Sequence, residues 1–219
     1  MLQSDKPVTL LGAGQSTSYC LKEALTHAPF LVAADGGANM AIAAGYTPEA
    51  VIGDFDSITA DTRAAIPPER LFHISEQDTT DFEKCLSRIE APLILGVGFA
   101  GGRLDHVLAV WTVLARYPAQ RCLILGEEDV VFLAPQRLNL DLAEGTRVSL
   151  FPMGPVRGRS DGLFWPIDGI GFAPDGRIGT SNRATGPVTL DFDAARMLVL
   201  LPRSCLEASI AALVPGDAA

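Results

Sequence analysis

The sequence predicts two domains, an α/β N-terminal domain with a mainly parallel sheet over residues 1–130 and a C-terminal antiparallel β-sandwich or barrel over residues 131–219. Short apolar runs alternate with helical patterns through the first part, the order expected of strands joined by crossover helices. Beyond Glu127 the texture changes to short β-like runs broken by Pro, Gly, Asn and Asp, with no long helix between them, which suggests a small antiparallel sheet structure. The boundary falls near residues 127–135. A chain of 219 residues is long enough to bury a substantial core in either arrangement.

Taken in order, Val8-Thr9-Leu10-Leu11 reads as a buried strand, and Gly12-Ala13-Gly14-Gln15-Ser16 leads into a helix beginning near Ser18. A strand, a glycine turn and a helix offer backbone N–H groups to a phosphate. A tight connection in an α/β sheet accounts for Gly12 and Gly14 equally well. Residues 30–34 form a second strand ending at Asp35-Gly36-Gly37. Asp35 stands about where a dinucleotide-binding unit places its ribose carboxylate, although Thr17 occupies the third glycine position of that fingerprint. A short helix over 38–44 ends at Gly45.

The next strand, residues 51–52, runs into Gly53-Asp54-Phe55-Asp56-Ser57. Residues two apart in an extended backbone face the same way, so Asp54 and Asp56 present their carboxylates together, a pair suited to Mg²⁺ and phosphate oxygens. Asp-x-Asp-Ser is also an ordinary turn. Residues 71–74 resume as a strand. Phe82, Cys85, Leu86 and Ile89 then fall at i, i+3, i+4 and i+7, an amphipathic stripe. Thr80 and Glu83 match a capping box. Gln77, Asp81 and Lys84 share another face if the helix starts early enough, and a helix-terminal Asp81 is also common for structural reasons.

Residues 93–95 make another strand, followed by the glycine-rich approach Gly96 to Gly102 and by Arg103-Leu104-Asp105-His106 at the start of a helix. An arginine at such a helix start suits a triphosphate. Leu104, Val107, Leu108, Trp111, Leu114 and Ala115 mark a stripe expected to face the core. Residues 122–125 close the α/β part. In the second part, residues 130–134, 138–140, 146–151, 188–192 and 197–201 are the expected strands, and Trp165 is expected to be a core residue.

Composition narrows the function classes. The formal net charge of −9 argues against nucleic acid, whose phosphates need clustered cations. Cys20, Cys85, Cys122 and Cys205 are scattered without metal-ligand spacing, the pattern of buried free thiols in a reducing compartment. No signal peptide is visible and no apolar run is long enough to span a bilayer, so a cytoplasmic location without membrane partners is expected.

Five blocks, Asp35-Gly36-Gly37-Ala38-Asn39, Gly53 to Ser57, Gln77-Asp78-Thr79-Thr80-Asp81-Phe82-Glu83-Lys84, Gly101 to His106 and Gly179-Thr180-Ser181-Asn182, resemble in order the motifs of the thiamine pyrophosphokinase family. The resemblance implies transfer of a pyrophosphoryl group from ATP to thiamine, giving thiamine diphosphate and AMP. It implies a homodimer with active sites between subunits. By the same resemblance Asp54, Asp56 and Asp81 correspond to Mg²⁺ ligands, Gln77, Asp78, Lys84, Arg103 and Asp105 to phosphate-side and structural polar residues, and Ser181 and Asn182 to residues near thiamine and nucleotide. Asp78, a carboxylate outside the metal set, is the expected proton acceptor. The competing readings are a nicotinamide- or flavin-linked oxidoreductase using Gly12, Gly14 and Asp35, and a non-catalytic nucleotide or vitamin sensor.

Overall fold

The structure is a computed structural model that describes residues 1–14 and 18–214; Gln15, Ser16 and Thr17 of the first glycine turn lie outside the described residues. By its internal contacts the chain divides into two units, Met1–Val113 with Ile124–Glu127, and Leu114–Leu123 with Glu128–Ala219.

The first unit contains β1 (Leu2–Gln3), β2 (Val8–Leu11), α1 (Ser18–His27), β3 (Phe30–Ala34), α2 (Gly37–Ala43), β4 (Ala50–Gly53), α3 (Ala60–Ala65), β5 (Leu71–His73), α4 (Asp81–Leu86), β6 (Ile89–Glu90), β7 (Ile94–Val97) and most of α5 (Leu104–Arg116). Strand β8 (Cys122–Leu125) follows. Neighbouring strands run parallel in the order β7-β2-β3-β4-β5, with Val8 opposite both Phe30 and Ile94, Val32 opposite Ala50 and Val51 opposite Leu71. Strands β2, β4 and β7 are buried along their whole length, which is why they read as unbroken apolar runs rather than alternating ones. The chain moves outward from β2 through β5 on one side and returns to place β7 on the other. This reversal of strand order puts a crevice beyond the strand ends between β2 and β7.

Two helices differ from their sequence patterns. The capping Thr80 accepts a hydrogen bond from Glu83 N as expected, but α4 stops at Leu86, and Ile89 belongs to β6, paired with β1. Gln77 lies in the turn before α4 rather than on it. In α5, Val110, Val113 and Leu114 are buried, whereas Leu104 and Leu108 are exposed, at 71% and 58%. The inward face is therefore shifted toward the C-terminal half of the helix. No helix among the described residues is long and apolar enough to cross a membrane.

The second unit holds β9 (Asp129–Leu133), β10 (Arg137–Leu140), β11 (Arg147–Pro152), β12 (Val156–Leu163), β13 (Gly171–Phe172), β14 (Thr180–Phe192), β15 (Met197–Pro202) and α6 (Leu206–Leu213). All its strand pairs are antiparallel. Strand β14 is the spine: residues 180–183 pair with β11, and residues 188–192 pair with β10 and β12. Its 13 residues include the stretch around Gly186 and Pro187, whose composition hides the first half of the strand from a sequence reading. Helix α6, which the sequence reading did not anticipate, is short and ends at Leu213.

Candidate active site

The site is built from the loops that follow the parallel strands of the first unit. Gly12, Ala13 and Gly14 follow β2, Asp35 and Gly36 follow β3, Asp54, Asp56 and Ser57 follow β4, and Gly98, Phe99, Gly101, Gly102 and Arg103 follow β7. With Gln77, Thr79, Thr80, Asp81 and Lys84 they line a cleft of about 580 Å³. The glycines are needed here because the β2 and β7 loops touch. Gly14 N donates to Gly98 O at 3.1 Å, and a Cβ on Gly14 would lie 2.4 Å from that oxygen. Gly98 itself has φ +80°, a conformation that side chains disfavour.

Lys84 is the electrostatic centre. Its side chain is 2% exposed, yet its Nζ donates to Asp54 Oδ2 at 3.0 Å and to Asp81 Oδ1 at 3.3 Å. Gln77 Nε2 donates to the same Asp54 oxygen at 2.9 Å. The hydrogen bond from Lys84 holds Asp54 below the usual carboxylate range against the effect of its burial. For Asp81, burial is the larger effect and raises its pKa despite the lysine. Burial works to lower the Lys84 pKa, but the bond to Asp54 and the charge of Asp81 outweigh it and the value rises. The lysine therefore stays charged and keeps two carboxylates apart from each other's repulsion.

Asp35 acts on the opposite side of the β4 loop. It is buried, and its two oxygens accept from Phe55 N at 2.8 Å and Ser57 N at 3.1 Å. One oxygen each of Asp35, Asp54 and Asp56 lies within 4.8 Å of the others. Three hard carboxylate oxygens fit what a Mg²⁺ ion takes. Among the described residues the group of three carboxylates is thus Asp35, Asp54 and Asp56, while Asp81 reaches Asp54 through the Lys84 ammonium. Asp54 and Asp56 do come together, but not through the extended backbone that their spacing suggests, since Phe55 between them has φ +67°; Asp35, which bonds Phe55 N from 20 positions away, lies beneath the same loop.

Arg103 also lines the cleft, and its guanidinium grips Asp105 through Nη2–Oδ2 at 2.6 Å and Nε–Oδ1 at 3.2 Å. That fork raises the arginine's pKa and lowers the carboxyl's. Both side chains are exposed, so the pair is held by geometry rather than by burial. Asp105 and Asp78 are not among the lining residues. Asp78 is exposed, and its backbone N donates to Glu76. The Glu76 carboxylate also accepts from Thr79 N at 3.1 Å and from the Thr79 hydroxyl, and Thr79 lowers its pKa. Sequence reasoning passed over Glu76 and gave Asn39 no role, although Asn39 Nδ2 donates to Ser57 O at 2.8 Å and its Oδ1 accepts from Thr59 N at 3.1 Å. Neither role has a clear sequence signal, because Asn39 bonds backbone atoms and Glu76 bonds two backbone N–H groups besides the Thr79 hydroxyl.

Ser181 and Asn182 lie on β14 of the second unit. Ser181 is exposed, and Asn182 is buried with both ends of its amide bonded: Nδ2 donates to Trp165 O at 2.6 Å and Oδ1 accepts from Trp165 N at 3.1 Å and Arg183 N at 2.9 Å. Trp165 is not a core residue. It is 55% exposed, its ring 4.7 Å from that of Phe164, and the Arg183 guanidinium lies 3.9 Å from the Phe164 ring centre. Asn182 holds the Trp165 backbone through both its N and its O, which the apolar sequence Gly162-Leu163-Phe164-Trp165-Pro166 does not convey.

Residues 21–125 match the family model described as the thiamin pyrophosphokinase catalytic domain. The rice (Oryza sativa subsp. japonica) protein named thiamine pyrophosphokinase 1 is 31% identical over 199 residues, covering 74% of this chain and 75% of that protein. Its Arabidopsis thaliana namesake is 30% identical over 190 residues, covering 71% of each. Among solved structures, thiamin pyrophosphokinase from Candida albicans superposes with a TM-score of 0.73 at 17% identity over 92% of each chain. The yeast enzyme gives 0.73 at 18% identity, over 93% of this chain and 89% of that one.

Proposed function

This chain belongs to the thiamin pyrophosphokinase family, and from that premise we propose that the cleft of the first unit is where ATP gives up its pyrophosphoryl group. The enzyme transfers that group to the hydroxyl of thiamine. The thiamine oxygen attacks the β-phosphorus, the bond from that phosphorus to the α,β-bridging oxygen breaks, and AMP leaves as thiamine diphosphate forms. The observation that carries the assignment to this cleft is the meeting of Asp54, Asp81, Lys84 and Gln77 in one hydrogen-bonded set.

In transfers of this kind a protein chiefly aligns the attacking and leaving oxygens and opposes spreading negative charge. We assign Mg²⁺ to Asp54 and Asp56, with Asp35 beneath them and Asp81 at the opposite side of Lys84. When bound, the ion would draw charge from the phosphate oxygens. Lys84 holds Asp54 in place while adding a positive charge at the cleft wall. Arg103, already oriented by Asp105, offers its guanidinium to the polyphosphate, and Gly12, Gly14, Gly101 and Gly102 line the same cleft without side chains to obstruct it. For the proton of the thiamine hydroxyl, Asp81 is the better acceptor than Asp78, since burial raises its proton affinity and it lines the cleft. Asp78→Asn is then expected to keep turnover at saturating substrate and Asp81→Asn to lose it; the reverse result restores Asp78 to the role.

The antiparallel strands of the second unit support reading it as a β-sandwich, and we assign the exposed Phe164 and Trp165 rings, with Ser181, to thiamine recognition. Asn182 supports them through the Trp165 backbone. Trp165→Ala should raise the KM for thiamine and leave that for ATP unchanged. We also infer a cytoplasmic homodimer with active sites between subunits, which sedimentation would test as a doubled mass. The deciding assay is AMP and thiamine diphosphate release from thiamine and Mg-ATP. ATP consumption without thiamine diphosphate, or binding without turnover, would overturn the assignment. Both nucleotide-linked redox chemistry and a silent sensor fail the same assay, and the family assignment leaves neither with support.

A further inference from the structure

Asp35 and Phe55, with φ of +41° and +67°, are the non-glycine residues with positive φ among the described residues. They lie in the loops that follow the adjacent strands β3 and β4, and they are bonded to each other, Phe55 N donating to Asp35 Oδ1 at 2.8 Å. A left-handed conformation at a phenylalanine costs on the order of 1 kcal/mol or more and persists only where the surroundings enforce it. Here the surroundings are specific. The Phe55 ring packs onto a buried apolar cluster that includes Val51 and Ile66. It lies 5.3 Å from the His73 ring, and the Arg63 guanidinium sits 5.4 Å from its centre. Gly53, just before the loop, has no room for a Cβ, which would stand 2.7 Å from Asp35 Cβ.

We propose that Phe55 is a positioning residue, a ring anchor whose left-handed backbone turns Asp54 and Asp56 toward the same divalent ion. It touches neither substrate nor metal. The two carboxylates flank it in sequence, and a regular extended backbone at position 55 would carry the strand direction onward instead of folding Asp56 back over Asp35. The loop is thus fixed from below by an aromatic ring and from within by the Asp35 carboxylate, before any ion arrives. This inference rests on the assignment of a divalent cation to Asp54 and Asp56.

The test is calorimetric titration of Mn²⁺ into the full-length chain, with the Mg²⁺ dependence of AMP release as a second readout. Phe55→Gly keeps the backbone freedom and removes the anchor. It is expected to weaken Mn²⁺ binding by about 10- to 100-fold, the usual effect of losing a group that orients metal ligands, and to recover turnover as Mg²⁺ is raised. Phe55→Leu, which keeps an apolar anchor, should recover most of the affinity. Arg63→Ala, an exposed change that leaves the core untouched, should weaken binding measurably and covers the event that Phe55→Gly does not fold. Parent-like Mn²⁺ affinity in Phe55→Gly or, should that variant be unfolded, in Arg63→Ala, or lost activity that Mg²⁺ does not restore, overturns the positioning role. Failure of the parent chain itself to bind Mn²⁺ overturns instead the metal assignment on which it rests.

Discussion

At the scale of single residues, the behaviour of Asp54 follows from its having three partners: the Lys84 ammonium and the Gln77 amide on one oxygen, and Asp56 N on the other at 3.3 Å. Asp54→Asn keeps the shape and one acceptor oxygen, replaces the other oxygen by an amide donor and removes the charge. Turnover is expected to fall by about 100-fold or more, as when a charge-stabilising group is removed from an active site, while circular dichroism shows the fold retained. The same pair sets an acid limit on stability. Because Lys84 holds Asp54 below its ordinary value of 3.8, the stabilisation is complete above that value and is lost as pH falls through the lower folded value. The parent's thermal midpoint should therefore drop more steeply below about pH 4 than that of Asp54→Asn, in the same acid window. Equal slopes would show that the pair adds nothing to stability.

At the scale of elements, the legible parts are those whose signals are local. The buried parallel strands declare themselves as apolar runs, and Thr80 with Glu83 declares the start of α4. Thr80→Ala should cost about 1 kcal/mol, the usual value of a lost N-cap, and a thermal melt would show it. What stayed hidden depends on contacts between distant positions. Ile89 belongs to a strand because β1 is there to pair with it, Gln77 serves the site from a turn because Glu76 folds that turn, and Trp165 is exposed because Asn182 holds its backbone. The acidic pair after β4 was legible as a pair, but the place of the buried Asp35 beneath it was not, since its partners are backbone N–H groups without sequence identity. The motif blocks mark where along the chain the proposed chemistry would lie. The distances gave each side chain its partner.

At the scale of the whole molecule, the chain carries a formal charge of −9 and must admit a polyanion. Like charges slow encounter, and salt screens that repulsion. The association rate of Mg-ATP is therefore expected to rise as ionic strength goes from about 10 to 150 mM, where the Debye length falls to about 8 Å, with stopped-flow fluorescence as the measurement. A rate that falls with salt would show that the local field of Lys84 and Arg103 governs approach instead.

The meeting of the β2 and β7 loops has one more consequence. The glycines at 14 and 98 leave so little space between two backbones that the smallest possible side chain is already too large. A library randomising both codons, selected for thiamine diphosphate supply in cells, should return glycine at each position even though no chemistry is asked of either. These two residues would then look invariant for backbone reasons, want of room at both and, at Gly98, a φ of +80° as well.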